Sequence, residues 1–237
     1  MKRTLISLAV ASGLGLASTA AMADFVFDGF GNIQGPVSDA IADGTSVSSG
    51  TISVTDSDIA NLLRSIYANK TGPLGDDPFA ITARVAGGVF ASSQETGGEA
   101  GAVAGNSGAL YSISGGGTAD LTAWSSLNLL IRVVNADLPG GVVGFQLKDL
   151  DGTTLSTTFD IAAGPALYSR AFSAFTLAGG TFDWSKFAGA ELTVDGTKVP
   201  ALDMSISIIS SVPEPATLAL LGLGLAGLGF AGRRRQK

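Results

Sequence analysis

The chain contains no cysteine and no histidine. Catalytic triads built on histidine, thiol nucleophiles and the common zinc and haem sites are therefore excluded. No disulfide can hold the fold either, so stability must come from a packed core, which roughly 190 residues can supply. Cations are scarce away from the two ends. Between Asp24 and Ser211, eight Lys and Arg stand against nineteen Asp and Glu, a net charge of −11, whereas the whole chain carries −6. Such a body repels nucleic acid, whose binding depends on neutralising phosphates, and nucleic acid is excluded as a partner. It can attract cations.

What the middle lacks, the ends supply. Met1 to Ala23 opens on Lys2 and Arg3, continues through an apolar run from Leu5 to about Ala17, and closes on Ala21-Met22-Ala23. That order predicts a signal peptide over 1–23, cut after Ala23 by signal peptidase, and hence export. At the other end, Val212-Pro213-Glu214-Pro215 precedes sixteen uncharged residues, 216–231, followed by Arg233, Arg234 and Arg235 in a basic tail, 232–237. As a helix the uncharged stretch spans about 24 Å. This is slightly short of a bilayer core of about 30 Å, a gap that snorkelling arginines can close. The arginines belong on the cytoplasmic side, which leaves 24–211 outside, as the signal peptide also demands. Pro213 and Pro215 cannot continue a helix and hold Glu214 in an extended stretch of the kind a protease groove binds.

The proline pair, apolar helix and arginine cluster, in this order and at the chain's end, resemble the PEP-CTERM sorting signal of Gram-negative bacteria. The resemblance covers about the last 26 residues. It implies transient anchoring in the inner membrane, recognition by an exosortase, a membrane-embedded transpeptidase-like enzyme, and release of the tail. The body then goes to the cell surface or the exopolysaccharide matrix. A permanent single-helix anchor is the alternative. Gly222-Leu-Gly224-Leu-Ala-Gly227 matches G-x-G-x-x-G, but no strand precedes it and no acidic residue follows it, so a nucleotide site is rejected.

Most of 24–211 consists of short apolar-alternating runs separated by Gly, Asp and Ser turns, which predicts an all-β antiparallel sandwich. Val143, Phe145 and Leu147 share one face, as do Leu155, Thr157, Phe159 and Ile161, around an Asp151-Gly152 hairpin turn. Leu127 to Val134 and Met204 to Ile209 form further strands, with Met204, Ile206 and Ile208 on one face. One amphipathic helix is expected over about 56–69, with Ile59, Leu62, Leu63 and Ile66 as its stripe. Its end falls near Asn69-Lys70-Thr71, a glycosylation triplet better taken as a loop. Ser92 to Ala119, rich in Gly, Ala and Ser, is expected to be a long loop followed by a short strand near 109–114. Asp120-Leu-Thr-Ala-Trp124, Asp149-Leu-Asp-Gly152, Phe182-Asp-Trp184 and the opening Phe27-Asp-Gly-Phe30 resemble carbohydrate-binding jelly rolls of the galactose-binding-like kind. A jelly-roll sandwich is what that resemblance implies.

Candidate site residues are few. Trp124 and Trp184 can stack on sugar rings, although core packing is the competing account. Asp149 and Asp151, and separately Asp76 and Asp77, offer hard oxygen donors to calcium, and otherwise serve as solvated turns. No other cofactor is called for. A facing pair of carboxylates would suit a glycan hydrolase, but no pair is marked. The expectation is a non-enzymatic, exported protein with a structural or adhesive role, with a carbohydrate-binding module recognising matrix polysaccharide as the alternative. Mass spectrometry of the surface or secreted form is expected to show a chain without Arg233–Arg235. Finding them still attached contradicts sorting by tail removal.

Overall fold

Period-two alternation runs through residues 25–72, 79–95 and 103–212, the residues the computed structural model describes, and it yields fifteen strands there. They are β1 (Phe25–Asp28), β2 (Gln34–Asp39), β3 (Val47–Ser48), β4 (Ile52–Ser53), β5 (Leu62–Gly72), β6 (Ile81–Ala86), β7 (Val89–Gln94) and β8 (Ala104–Ile113). After two short 3-10 turns come β9 (Asn128–Ala136), β10 (Val142–Asp149), β11 (Thr154–Asp160), β12 (Ala166–Ala171), β13 (Thr176–Ala178), β14 (Phe187–Asp195) and β15 (Met204–Val212). All pairings are antiparallel. The first sheet has the order β12-β9-β15-β7-β6-β2, with β1 also on β15; the second runs β13-β11-β10-β14-β8-β5-β3, with β4 also on β5.

The sheets enclose one apolar core. Ile81, Val85, Phe90, Ile131 and Ile206 come from the first sheet and Leu62, Ile66, Leu147, Phe187 and Leu192 from the second, all at most 1% exposed. Phe27 joins the layers: its ring lies edge-on to Tyr111, Phe145 and Phe187, with centroids 4.9, 5.3 and 6.0 Å away. Val143, Phe145 and Leu147 face inward opposite Phe159, Thr157 and Leu155, and Gly152 takes the positive φ of 87° that its tight turn requires. β15 departs from simple alternation. Its register shifts between Ile206 and Ile208, so Ile209 rather than Ile208 is buried.

The helix expected over 56–69 is not formed. Residues 62–69 belong to β5, and among the described residues the only helical pieces are short 3-10 turns. The stripe of Leu62 and Ile66 satisfies period two as well as period 3.6. The alternation is masked in the sequence because Arg64 and Lys70 occupy inward positions of β5 and are fully buried. The long loop expected from Ser92 to Ala119 is corrected too: β7 extends to Gln94, and β8 is a ten-residue strand paired on both sides. Its small residues have a packing cause. A Cβ on Gly105 or Gly108 would collide with the backbone carbonyl of Asn69 or Leu192, so neighbouring strands close in only over glycine.

Buried Arg64 is fully paired. Its Nη1 donates to Asp28 Oδ2 at 2.6 Å, Nε to Gln34 Oε1 at 3.0 Å, and Nη2 to the Asn32 carbonyl. Tyr111 donates its hydroxyl to Asp28 Oδ2 at 2.8 Å, and the Phe30 amide donates to Oδ1 at 2.7 Å. Burial pushes the Asp28 carboxyl up from its ordinary value, against the opposing pull of Arg64. Replacing Arg64 by Met leaves this carboxyl without its counter-charge, a loss of about 3–5 kcal/mol. Urea denaturation of Arg64→Met is expected to show a much lower midpoint, and a midpoint equal to wild type contradicts the role given to the pair.

Candidate functional site

The outward face of the second sheet is built by the strand residues that alternate with the core. Register places Ser156, Gln146, Glu191, Leu110 and Ser65 in one row across β11, β10, β14, β8 and β5. The next row is Thr158, Gly144, Thr193, Gly108 and Tyr67, and the one beyond it Asp160, Val142, Asp195, Asn106 and Asn69. Where glycine replaces a side chain the surface is hollowed. A cleft of ≈ 240 Å³ lies over Gly144, lined by Gln146, Ser156, Thr158, Glu191, Thr193 and Asp195. A second, of ≈ 490 Å³, lies over Gly189 between Leu110, Lys148 and Leu150. Gln146 and Glu191 line both, so the two clefts adjoin end to end in one trough along β10 and β14.

Hydrogen bonding fixes the trough's acidic groups as acceptors. Tyr67 donates its hydroxyl to Glu191 Oε1 at 2.8 Å, and Asp195 Oδ1 accepts from the Thr197 amide and hydroxyl at 2.9 and 2.6 Å. Burial, with the nearby Glu191 carboxylate, raises the Tyr67 phenol above its ordinary value, so it stays a donor. Its ring lies over Gly108, where a Cβ would come 2.8 Å from the hydroxyl, and it is only 8% exposed. The side-chain carbonyls of Asn69 and Asn106 are buried and accept no hydrogen bond.

The residues singled out from sequence lie elsewhere. Trp124 is 5% exposed, stacked on Phe25 at 5.7 Å and edge-on to Phe27 at 6.1 Å, so it packs with the core, at the wall of a cleft of ≈ 580 Å³ that Phe25, Ile59 and Asp120 also line. Trp184 is half-buried, held edge-on by Phe172 and Phe182, and lines a cleft of ≈ 480 Å³ at one end of the sandwich with Thr122, Asp151, Asp183 and Ser185. Asp149 and Asp151 do not converge. Asp149 is buried, accepting the Thr153 amide on Oδ1 at 2.8 Å and the Asp183 amide on Oδ2 at 3.0 Å, so both its oxygens serve to close a turn. Asp151 faces the Lys186 ammonium, 3.6 Å away, which also lies 3.3 Å from Asp183. Hydrogen bonds from the Ser185 hydroxyl and amide lower the Asp183 carboxyl, and donating to that carboxylate raises the Lys186 ammonium. Ala21, Ala23, Asp76, Asp77, Pro213, Glu214, Pro215, Arg233, Arg234 and Arg235, with the apolar segment 216–231, lie outside the described residues; Val212 is the last residue of β15. No helix among the described residues is long and apolar enough to cross a membrane.

The trough was missed in sequence because Gln146, Ser156, Thr158, Glu191, Thr193 and Asp195 look like any solvent face. The one available signal was glycine at outward strand positions, as at Gly144.

Residues 211–235 match the model of the PEP-CTERM protein-sorting motif. The chain therefore carries that motif, which implies an exported protein processed by exosortase and sorted toward the cell surface. No curated protein matches. Among solved structures, the chain is similar to a family 11 carbohydrate-binding module of the cellulosomal cellulase Lic26A-Cel5E of Clostridium thermocellum. The identity is 13% over 82% of this chain and 97% of that one, with a TM-score of 0.42. A family 30 carbohydrate-binding module matches at 13% identity over 76% of this chain and 100% of its own, with a TM-score of 0.39. An exo-beta-agarase matches at 15% identity over 66% and 22%, with a TM-score of 0.38. At these scores no ligand is inferred from the likeness.

With only two tryptophans in the chain, each can be observed alone. Acrylamide is expected to quench Trp184 in Trp124→Phe severalfold more strongly than Trp124 in Trp184→Phe. Equal quenching contradicts the burial of Trp124.

Proposed function

We propose that this is a non-enzymatic surface or matrix protein, released from its membrane tail by exosortase, which holds extracellular polysaccharide along the trough of its second sheet. The observation that carries the binding half is the continuity of the two clefts. They meet at Gln146 and Glu191 and extend over β11, β10, β14 and β8, a length suited to a chain rather than a single small molecule. The polar groups that line the trough are amides, hydroxyls and carboxylates, the groups that hydrogen-bond sugar hydroxyls.

The export half is supported by the sorting motif, with a signal peptide over 1–23 and an exported domain over 24–211. Ser211 and Val212 are paired to Leu129 and Asn128 of β9, and Ser211 also to Phe25, so the folded body extends to the residue before Pro213. The transient inner-membrane anchor is residues 216–231. Repeated crossing of the chain between sheets, from β5 to β6, β7 to β8, β8 to β9 and β9 to β10, supports a jelly roll as the finer description of the sandwich.

Affinity electrophoresis through gels containing the host's extracellular polysaccharide tests the reading. Wild-type protein is expected to be retarded, with no reducing sugar released. Gly144→Val fills the trough floor: its Cβ meets only ordinary contacts, Thr193 nearest at 3.6 Å, so the variant is expected to fold and to lose most of the retardation. Failure of every matrix polysaccharide to retard the wild type, or equal retardation of the folded variant, contradicts the trough.

A further inference from the structure

The chemistry of the trough narrows its ligand. The charged residues on the rows described are Glu191, Asp195 and Asp160, with Lys148 the only cation, at the Leu110 side. The outward positions of β5 and β8, from Leu63 to Asn69 and from Asn106 to Ser112, carry no charge. Both hydrogen bonds to Asp195 fall on Oδ1, and those to Glu191 fall on Oε1, so one oxygen of each carboxylate accepts none. A carboxylate oxygen in a cleft that accepts no hydrogen bond from the protein is open to a ligand that brings donors. Stacking on sugar faces is not the mode of attachment here, because the face's one aromatic ring among these rows, Tyr67, is buried. A surface rich in acceptors and net negative excludes uronic-acid polymers by like-charge repulsion, and it gains most from a ligand that is both donor and cation.

Resting on the reading that the trough holds polysaccharide, we infer that it selects amino-sugar polymers with free amines, the hexosamine ammonium pairing with Asp195 and Glu191. N-acetylation removes both the charge and two of the three ammonium donors, so the deacetylated polymer is the preferred form.

The test uses protein recovered from the cell surface and four soluble polymers of matched length: N-deacetylated glucosamine polymer, the same polymer re-N-acetylated, a polyuronate and a neutral glucan. Calorimetry is expected to give a dissociation constant at least about tenfold lower for the deacetylated polymer than for its acetylated form, as one charge-assisted hydrogen bond supplies. Asp195→Asn combined with Glu191→Gln is expected to erase that preference. Asp43→Asn combined with Asp151→Asn removes the same charge from exposed positions off the trough and is expected to keep it. Equal or tighter binding of the acetylated, uronate or neutral polymer overturns the inference while leaving the trough as a polysaccharide site. Equal loss in the off-trough pair also overturns it, by showing general attraction of a polycation to an acidic protein. No binding of any of the four overturns both readings.

Discussion

Arg64 reaches from the second sheet to Asp28 in the first, and the two side chains, each with no exposed surface, make the polar tie of a sandwich that has no disulfide. Gln34 and Tyr111 complete it from β2 and β8, so four strands of two sheets converge on one buried cation. Such a pair is costly to assemble and more costly to break, which makes it a device for specifying one arrangement rather than a source of net stability. Its consequence for β5 is geometric. Because side chains alternate, turning Arg64 inward turns Leu63, Ser65, Tyr67 and Asn69 outward, onto the face that carries the trough. A slip of one residue would bury Tyr67 and Asn69 in the core and expose the cation.

That same arginine explains what could and could not be read in the sequence. β10 was legible in full and β11 to within one residue of its end, since Val143, Phe145, Leu147, Leu155 and Phe159 alternate with polar neighbours around an Asp-Gly turn. β5 was not, because a charge at two core positions imitates the polar side of a helix, and Leu62 with Ile66 fits either period. A short strand near 109–114 was expected, while the first half of β8 was missed for the opposite reason. Its glycines and serines look like a linker, but their small size is what lets β5 and β14 close on either side. The bulge in β15 was beyond reach, as register shifts depend on partners far away in the chain. The sorting motif lay wholly in local order and spacing and was legible in full. The trough was not: its groups come from four strands, and only register assembles them.

The two ends of the described body meet. Phe25 of β1 pairs with Ser211 of β15, so the first described residue lies beside the start of the sorting motif. Val212 is already part of that strand, which leaves no spacer between the fold and Pro213. The trough belongs to the other sheet, so the strand that leads into the sorting motif and the strands that line the trough are separate. Acidic composition then has a consistent role. A net charge of −11 over residues 24–211 opposes the approach of nucleic acid and of acidic polymers, and carboxylates stand on the outward face of the second sheet.

The account's central claim is that ligand meets the outward rows of the second sheet and not the aromatic end of the sandwich. Backbone amide chemical-shift mapping with a short oligosaccharide of the retarding polysaccharide tests this most directly. The account predicts perturbations clustered at Gly144, Gln146, Glu191, Thr193 and Asp195, with Asp151 and Trp184 unmoved. Shifts confined to the Trp184 cleft would contradict it.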